Sequence, residues 1–213
     1  MLLYTALGDS ITAGEAATSW TKAYPSLVVS MLNTRSAPIT GQVLAEPGWT
    51  SRALENAVLA NSSVYLTEAR TISIWVGGDD LADAALSVLR GAPRRVIQES
   101  IVRYGKDVAR LIAAIRSVSK ACIIVCNQYN PFPNSPIAAQ GIGALNAATA
   151  QVAARMGAVL APTAAWFEGR QAELIYGYRR GRIEDVMTSP VAPVHPNNRG
   201  HLVIARNLAP MIR

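Results

Sequence analysis

Five short apolar runs, separated by stretches with helical periodicity, constrain this chain more than any other feature. The runs cover residues 2–7, 42–45, 71–76, 121–127 and 158–160. Between them, residues 24–32, 51–60, 94–118 and 144–156 read as helices, and residues 198–208 as a closing one. The clearest is 94–118, where Ile97, Ile101, Tyr104, Val108, Leu111, Ile115 and Val118 recur at steps of three and four and make one amphipathic face. Pro93 suits the start of that helix, and Gly157 suits the stop of the helix ending near residue 156.

Buried strands joined by helical crossovers make a parallel sheet covered on both faces. The expected architecture is α/β: three layers, α/β/α, around a five-stranded parallel sheet in the flavodoxin-like order 2-1-3-4-5, with residues 1–213 as one domain. Residues 168–193 are polar and Arg-rich and are expected to be irregular. Half of the 213 residues are apolar and 16% are charged, which argues against disorder. No uninterrupted apolar stretch approaches the ~20 residues of a membrane span. The first residues carry no basic segment with an apolar stretch and cleavage site, so a cytoplasmic location is expected.

Cys122 and Cys126 fall in one expected strand, about 13 Å apart at Cα, which exceeds the ~7 Å a disulfide spans. Free thiols are expected, and no metal site, since two cysteines and two histidines make a poor zinc set. The net charge of +6 is scattered, with small clusters at Arg94-Arg95 and at Arg179-Arg180 with Arg182. No nucleic-acid motif accompanies it, so a solvated basic surface is expected, with peripheral membrane contact at most.

Four short segments fall at expected strand ends or just before a helix. They are Gly8-Asp9-Ser10-Ile11-Thr12-Ala13-Gly14, Glu46-Pro47-Gly48-Trp49-Thr50-Ser51, Val76-Gly77-Gly78-Asp79-Asp80, and Val194-His195-Pro196-Asn197-Asn198-Arg199-Gly200-His201. In a doubly wound sheet the first three converge at the carboxyl edge, where such sheets bind ligands. The fourth leads into the closing helix. A serine at such a turn is either a nucleophile or a phosphate-loop hydroxyl.

Taken in order, these blocks resemble those of the SGNH, or GDSL, hydrolases, a family of serine esterases and lipases. The resemblance spans the chain from Gly8 to His201. It implies that Ser10 is the nucleophile and His195 the general base, with no metal or organic cofactor. It also implies an oxyanion hole made by the Ser10 and Gly48 backbone N–H groups and by the family's asparagine, whose position holds Asp79 here. The Tyr129-Asn130-Pro131-Phe132-Pro133 stretch is similar to that of bacterial GDSL spore-germination lipases.

Two positions depart from the family pattern. Asp79 would repel an oxyanion when ionised and donate to it only when protonated. Asp80 beside it would raise its pKa if both face one pocket. The acid three residues before the histidine is missing, because that position is Ala192. Such an acid holds the imidazole tautomer and steadies the imidazolium, and its loss in a serine protease costs about 10⁴ in rate. A backbone carbonyl would then have to serve the His195 ring, or Glu184 or Asp185 would have to fold back to it. A carboxylate on the ring nitrogen facing away from Ser10 would restore a triad. A carbonyl would make a dyad, and neither would favour a silent relative.

Plainer roles stand beside these. Ser10 suits a helix cap, Asp9 its turn's backbone donors, and Gly48 a turn with positive φ. Asp79 suits an N-cap for a following helix, and His201 suits a structural role. Trp49 either lines an acyl pocket or packs beneath its loop, and Tyr129 either contacts substrate or packs within its own Pro-rich loop. The expected function is a serine esterase or lipase acting on lipid or short-acyl carboxylic esters. The alternatives are thioesters or acetylated sugars as substrates, a silent ester-binding relative, or a phosphate or flavin-phosphate binder.

Overall fold

A computed structural model describes residues 2–33, 38–60 and 64–213. The chain runs β1 (Leu2–Gly8), α1 (Ser10–Ala13), α2 (Tyr24–Leu32), β2 (Ile39–Ala45), α3 (Ser51–Ala60), α4 (Val64–Thr67), β3 (Ala69–Trp75), α5 (Gly78–Leu89) and α6 (Arg95–Val118). It continues with β4 (Cys122–Cys126), α7 (Pro136–Arg155), β5 (Val159–Ala161), α8 (Thr163–Phe167), α9 (Gln171–Leu174), α10 (Asp185–Thr188) and α11 (Asn198–Leu208). The strands pair in the order β2-β1-β3-β4-β5, all parallel, as the sequence implies.

Period-two alternation divides the strand side chains between two cores. Tyr4, Ala6, Trp75, Ile124 and Cys126 face α2, α8, α9 and α11, where they meet Tyr24, Val28, Phe167, Leu174, Ile204 and Leu208. Leu7, Ile72, Ile74, Ile123 and Val125 face α3, α6 and α7, where they meet Leu54, Val58, Tyr104, Val108, Leu111, Ile115 and Val152. The amphipathic face expected on α6 is the one buried, with Ile101, Tyr104, Val108, Leu111 and Ile115 all inside. Outside that core, Arg52 and Arg110 make paired hydrogen bonds to Asp107 and Glu55 and clamp α3 to α6.

Some boundaries move. Pro93 lies just outside α6, which starts at Arg95, and its carbonyl accepts from Val96 N–H. Helix α7 starts at Pro136, eight residues before the expected 144. Gly141 and Gly143 weaken the apparent helix there, and a Cβ at Gly141 would meet a Leu81 methyl of α5 at 3.4 Å, an ordinary contact. Helix α7 ends as expected, with Gly157 in the left-handed region at φ +62°. Residues 168–193 hold only the single turns α9 and α10. Cys122 and Cys126 are free thiols. Among the described residues no helix is long and apolar enough to cross a membrane.

Candidate active site

Strand β1 ends at Gly8 and the chain turns at once into the single helical turn α1. A Cβ at Gly8 would lie 2.2 Å from Thr12 Oγ1 and 2.3 Å from the Trp75 carbonyl oxygen, so the turn tolerates no side chain there. Asp9 caps α1: its buried carboxylate accepts from Ile11 N–H at 3.0 Å. Burial, then the charge of Asp79, pushes the Asp9 carboxyl well above the ordinary range. Asp9 thus takes the structural role expected of it. Ser10 is the first residue of α1, so its N–H has no intrahelical carbonyl to serve and stays open to another acceptor.

His195 arrives from the other end of the chain. Its Nε2 lies 2.9 Å from Ser10 Oγ, a contact spanning 185 positions of sequence. The backbone holds this loop on both sides. Tyr176 N–H donates to the His195 carbonyl at 2.9 Å, and Ile175 bridges Pro196. The Tyr129 hydroxyl donates to the Val194 carbonyl. Tyr129 is only 3% exposed, stacked on Phe167 with ring centroids 4.2 Å apart and set edge-on to Trp75. It therefore lies under the His195 loop instead of facing substrate. The ring is spent on packing, and the hydroxyl has a backbone acceptor.

No described residue hydrogen-bonds His195 Nδ1, the nitrogen facing away from Ser10. Ala192 supplies no acceptor from its side chain, and its carbonyl takes the Val194 N–H at 2.8 Å. Asp185 does not fold back to the ring. It is fully buried and accepts from the Arg180 and Arg182 N–H groups and from Arg180 Nε. Burial alone would raise its carboxyl, but the hydrogen bonds from Arg182 and Arg180 outweigh that and hold it below the usual range. Glu184 is exposed on the same turn. The carboxylate that does reach the imidazole is Glu15, whose Oε2 lies 3.6 Å from Nε2, on the Ser10 side. Burial lowers the His195 pKa from its ordinary value, and Glu15 partly offsets this.

Gly48 sits after β2 in an exposed turn at φ +83°, a conformation that favours glycine. Its neighbour Trp49 packs half-buried against the core on the α3 and α6 side, which fits the packing role over the acyl-pocket role. Asp79 is the second residue of α5, whose N-cap is Gly77, so Asp79 is not the cap. Its half-buried carboxyl has no hydrogen-bond partner among the described residues. Burial, then Asp83, Asp80 and Glu15, pushes its pKa up to about 6. Asp80 turns away to Ser51, accepting from its N–H at 2.7 Å and its hydroxyl at 2.6 Å. That pair ties the start of α5 to the start of α3, and so the Asp79 loop to the Gly48 loop. His201 is structural: fully buried, it stacks on Tyr24 and accepts from Tyr24 N–H through Nδ1 at 3.3 Å.

A three-layer α/β/α protein with a Ser–His pair at the carboxyl edge of a 2-1-3-4-5 parallel sheet is a hydrolase in class. The chain belongs to the GDSL-like lipase/acylhydrolase family, whose model matches residues 6–203. It is 26% identical to the spore germination lipase LipC of Bacillus licheniformis over 219 aligned residues, covering 97% of this chain and 94% of that one. Among solved structures it is similar to the lipase Lip_vut3 from goat rumen metagenome, with a TM-score of 0.80 and 24% identity over 98% of this chain and 96% of that one. It also resembles a catalytic mutant of Axe2, an acetylxylan esterase from Geobacillus stearothermophilus, with a TM-score of 0.73 and 18% identity over 99% and 94% of the two chains.

Proposed function

We propose that this protein hydrolyses carboxylic esters, lipid or short-acyl, through an acyl-enzyme on Ser10. The observation that carries the reading is the 2.9 Å contact between His195 Nε2 and Ser10 Oγ. A serine hydroxyl is a weak nucleophile until a base within hydrogen-bond reach removes its proton. Burial keeps His195 neutral near pH 7, which is the state a base needs. Ser10 Oγ bonds to the ester carbonyl carbon as its proton passes to Nε2. The proton then goes to the leaving alkoxide as the C–O bond breaks, and water repeats the sequence on the acyl-enzyme.

The Ser10 N–H and the Gly48 N–H are the oxyanion donors, with Asp79 joining them in its protonated form. Residues 1–213 act as one catalytic domain, since the loops after β1, β2 and β3 and the His195 loop before α11 belong to one sheet and its covering helices. The two free thiols fit a cytoplasmic setting. LipC is a lipase and Axe2 an acetylxylan esterase, which is support for ester substrates and leaves lipid and acetylated sugar as the two classes to compare.

One observation favours a second reading, a relative that binds esters without turning them over: His195 Nδ1 has neither a carboxylate nor a carbonyl among the described residues. A fluorophosphonate probe separates the two. Covalent labelling of the wild type that disappears in Ser10→Ala, together with loss of p-nitrophenyl ester turnover, supports the hydrolase. No labelling of a folded wild type favours the silent relative, and turnover that survives Ser10→Ala overturns the Ser10 assignment.

A further inference from the structure

Among these loops, a group that no family block supplies lies at the reacting nitrogen. We propose that Glu15 is the acid of this site, replacing the carboxylate missing at Ala192 by pairing with the His195 imidazolium from its Nε2 side; this rests on the hydrolase reading above. Its carboxylate oxygen Oε2 is 3.6 Å from Nε2, the same nitrogen that meets Ser10 Oγ at 2.9 Å. Among the described residues Glu15 is the acid within ion-pair distance of the ring, and the expected positions for one are filled by Ala192 or turned elsewhere, as with Asp185.

The backbone holds Glu15 in place. Its N–H donates to the Ser10 carbonyl at 2.9 Å, and its own carbonyl lies 3.4 Å from His201 Nε2. Helix α1 is one turn long and Gly14, in the left-handed region at φ +90°, turns the chain back so that Glu15 lies beside Ser10. The carboxylate itself is 44% exposed.

The role follows from what changes during the reaction. Before attack the ring is neutral and its Nε2 lone pair accepts the Ser10 hydroxyl. When the proton moves from Oγ to Nε2, the ring gains a full positive charge that a carboxylate attracts, whereas in the resting state the carboxylate faces an Nε2 lone pair that it does not attract. Glu15 therefore favours the transition state over the resting state. It does not lock the tautomer as an acid on Nδ1 does, since Nδ1 faces no described acceptor. The other titratable groups around the ring do not supply this charge: His201 is buried and neutral, and among the described residues neither Asp79 nor Asp9 lies within ion-pair distance of the imidazole.

The test is Glu15→Gln in the full-length protein, with two readouts. The first is the NMR titration of the imidazoles, which is tractable because the chain has two histidines. The second is the pH profile of kcat/KM on a p-nitrophenyl ester. For a half-exposed pair the expected loss in kcat is about three- to tenfold, with the His195 titration and the acid limb both moving down by about half a pH unit to one. Ala192→Asp restores an acid at the family spacing, and in that background Glu15→Gln should cost less than it does alone.

An unmoved His195 titration overturns the proposal whether or not the protein turns over. So does a kcat loss that is equal at every pH, because that marks a structural role. A wild type that neither labels nor hydrolyses overturns the underlying hydrolase reading and the catalytic role of Glu15 with it. Equal melting temperatures for wild type and Glu15→Gln keep misfolding out of the comparison.

Discussion

Replacing Asp79 by asparagine should make the enzyme faster at alkaline pH, and the structure sets the size of the gain. On the proposed reading Asp79 faces the developing oxyanion, and its pKa is pushed up to about 6, first by burial and then by Asp83, Asp80 and Glu15. Only its protonated form donates to an oxyanion, while the ionised form repels one. If turnover follows the protonated fraction, about half of the sites are competent at pH ~6 and about 1% at pH ~8. Wild-type kcat/KM should therefore fall about tenfold per pH unit above ~7. The Asp79→Asn amide donates at every pH, so the ratio of variant to wild type should climb from about twofold at pH ~6 towards a hundredfold at pH ~8. The ceiling is the value of one oxyanion donor, about 10²–10³ in kcat. The assay is initial rates on a short-chain p-nitrophenyl ester across this range, with Ser10→Ala subtracted for spontaneous hydrolysis. A ratio that stays flat with pH, or a variant slower than wild type at pH ~8, refutes the reasoning, because Asp79 then does not face the oxyanion in the way its burial implies.

Two further outcomes follow from the residues beneath the site. Tyr129→Phe keeps the stack on Phe167 but leaves the Val194 carbonyl without its donor, one residue from His195. It should lower kcat about tenfold and stability by about 1–2 kcal/mol, read from rates and urea midpoints; unchanged rates would mean the loop is held by Tyr176 and Ile175 alone. His201 is fully buried with its pKa lowered from 6.5 to about 4, so the stability it lends is complete above the unfolded value and is lost as pH falls through that window. The loss should reach about 3 kcal/mol, and His201→Gln should flatten that part of the stability curve without abolishing probe labelling. A variant that keeps the wild-type slope would assign it to other groups.

Much of the fold was legible because its signals are local. The bounds of α2, α3 and α11 follow from apolar spacing and match the structure residue for residue. The start of α7 did not, because Gly141 and Gly143 are unfavourable in an isolated helix and the packing of α7 against the rest of the fold that offsets them is not local. The site divided in the same way. Ser10 and His195 announce themselves through motifs and meet as those motifs imply. Tyr129 and Trp49 did not declare their direction, since an aromatic near a loop has the same local pattern whether it faces the core or the solvent.

The sequence by itself determined the class of fold, the order of the strands and the four loops that meet at one sheet edge. These depend on interactions between residues a few positions apart and on the handedness of crossovers, which every such chain shares. Only the tertiary structure decided how the charges are distributed at that edge. It brought Glu15 to within 3.6 Å of His195 Nε2, turned Asp185 onto Arg180 and Arg182, and set Asp79 half-buried among other carboxyls. A pKa or an ion pair depends on distances and burial set by packing across the chain, and those are properties no local pattern carries.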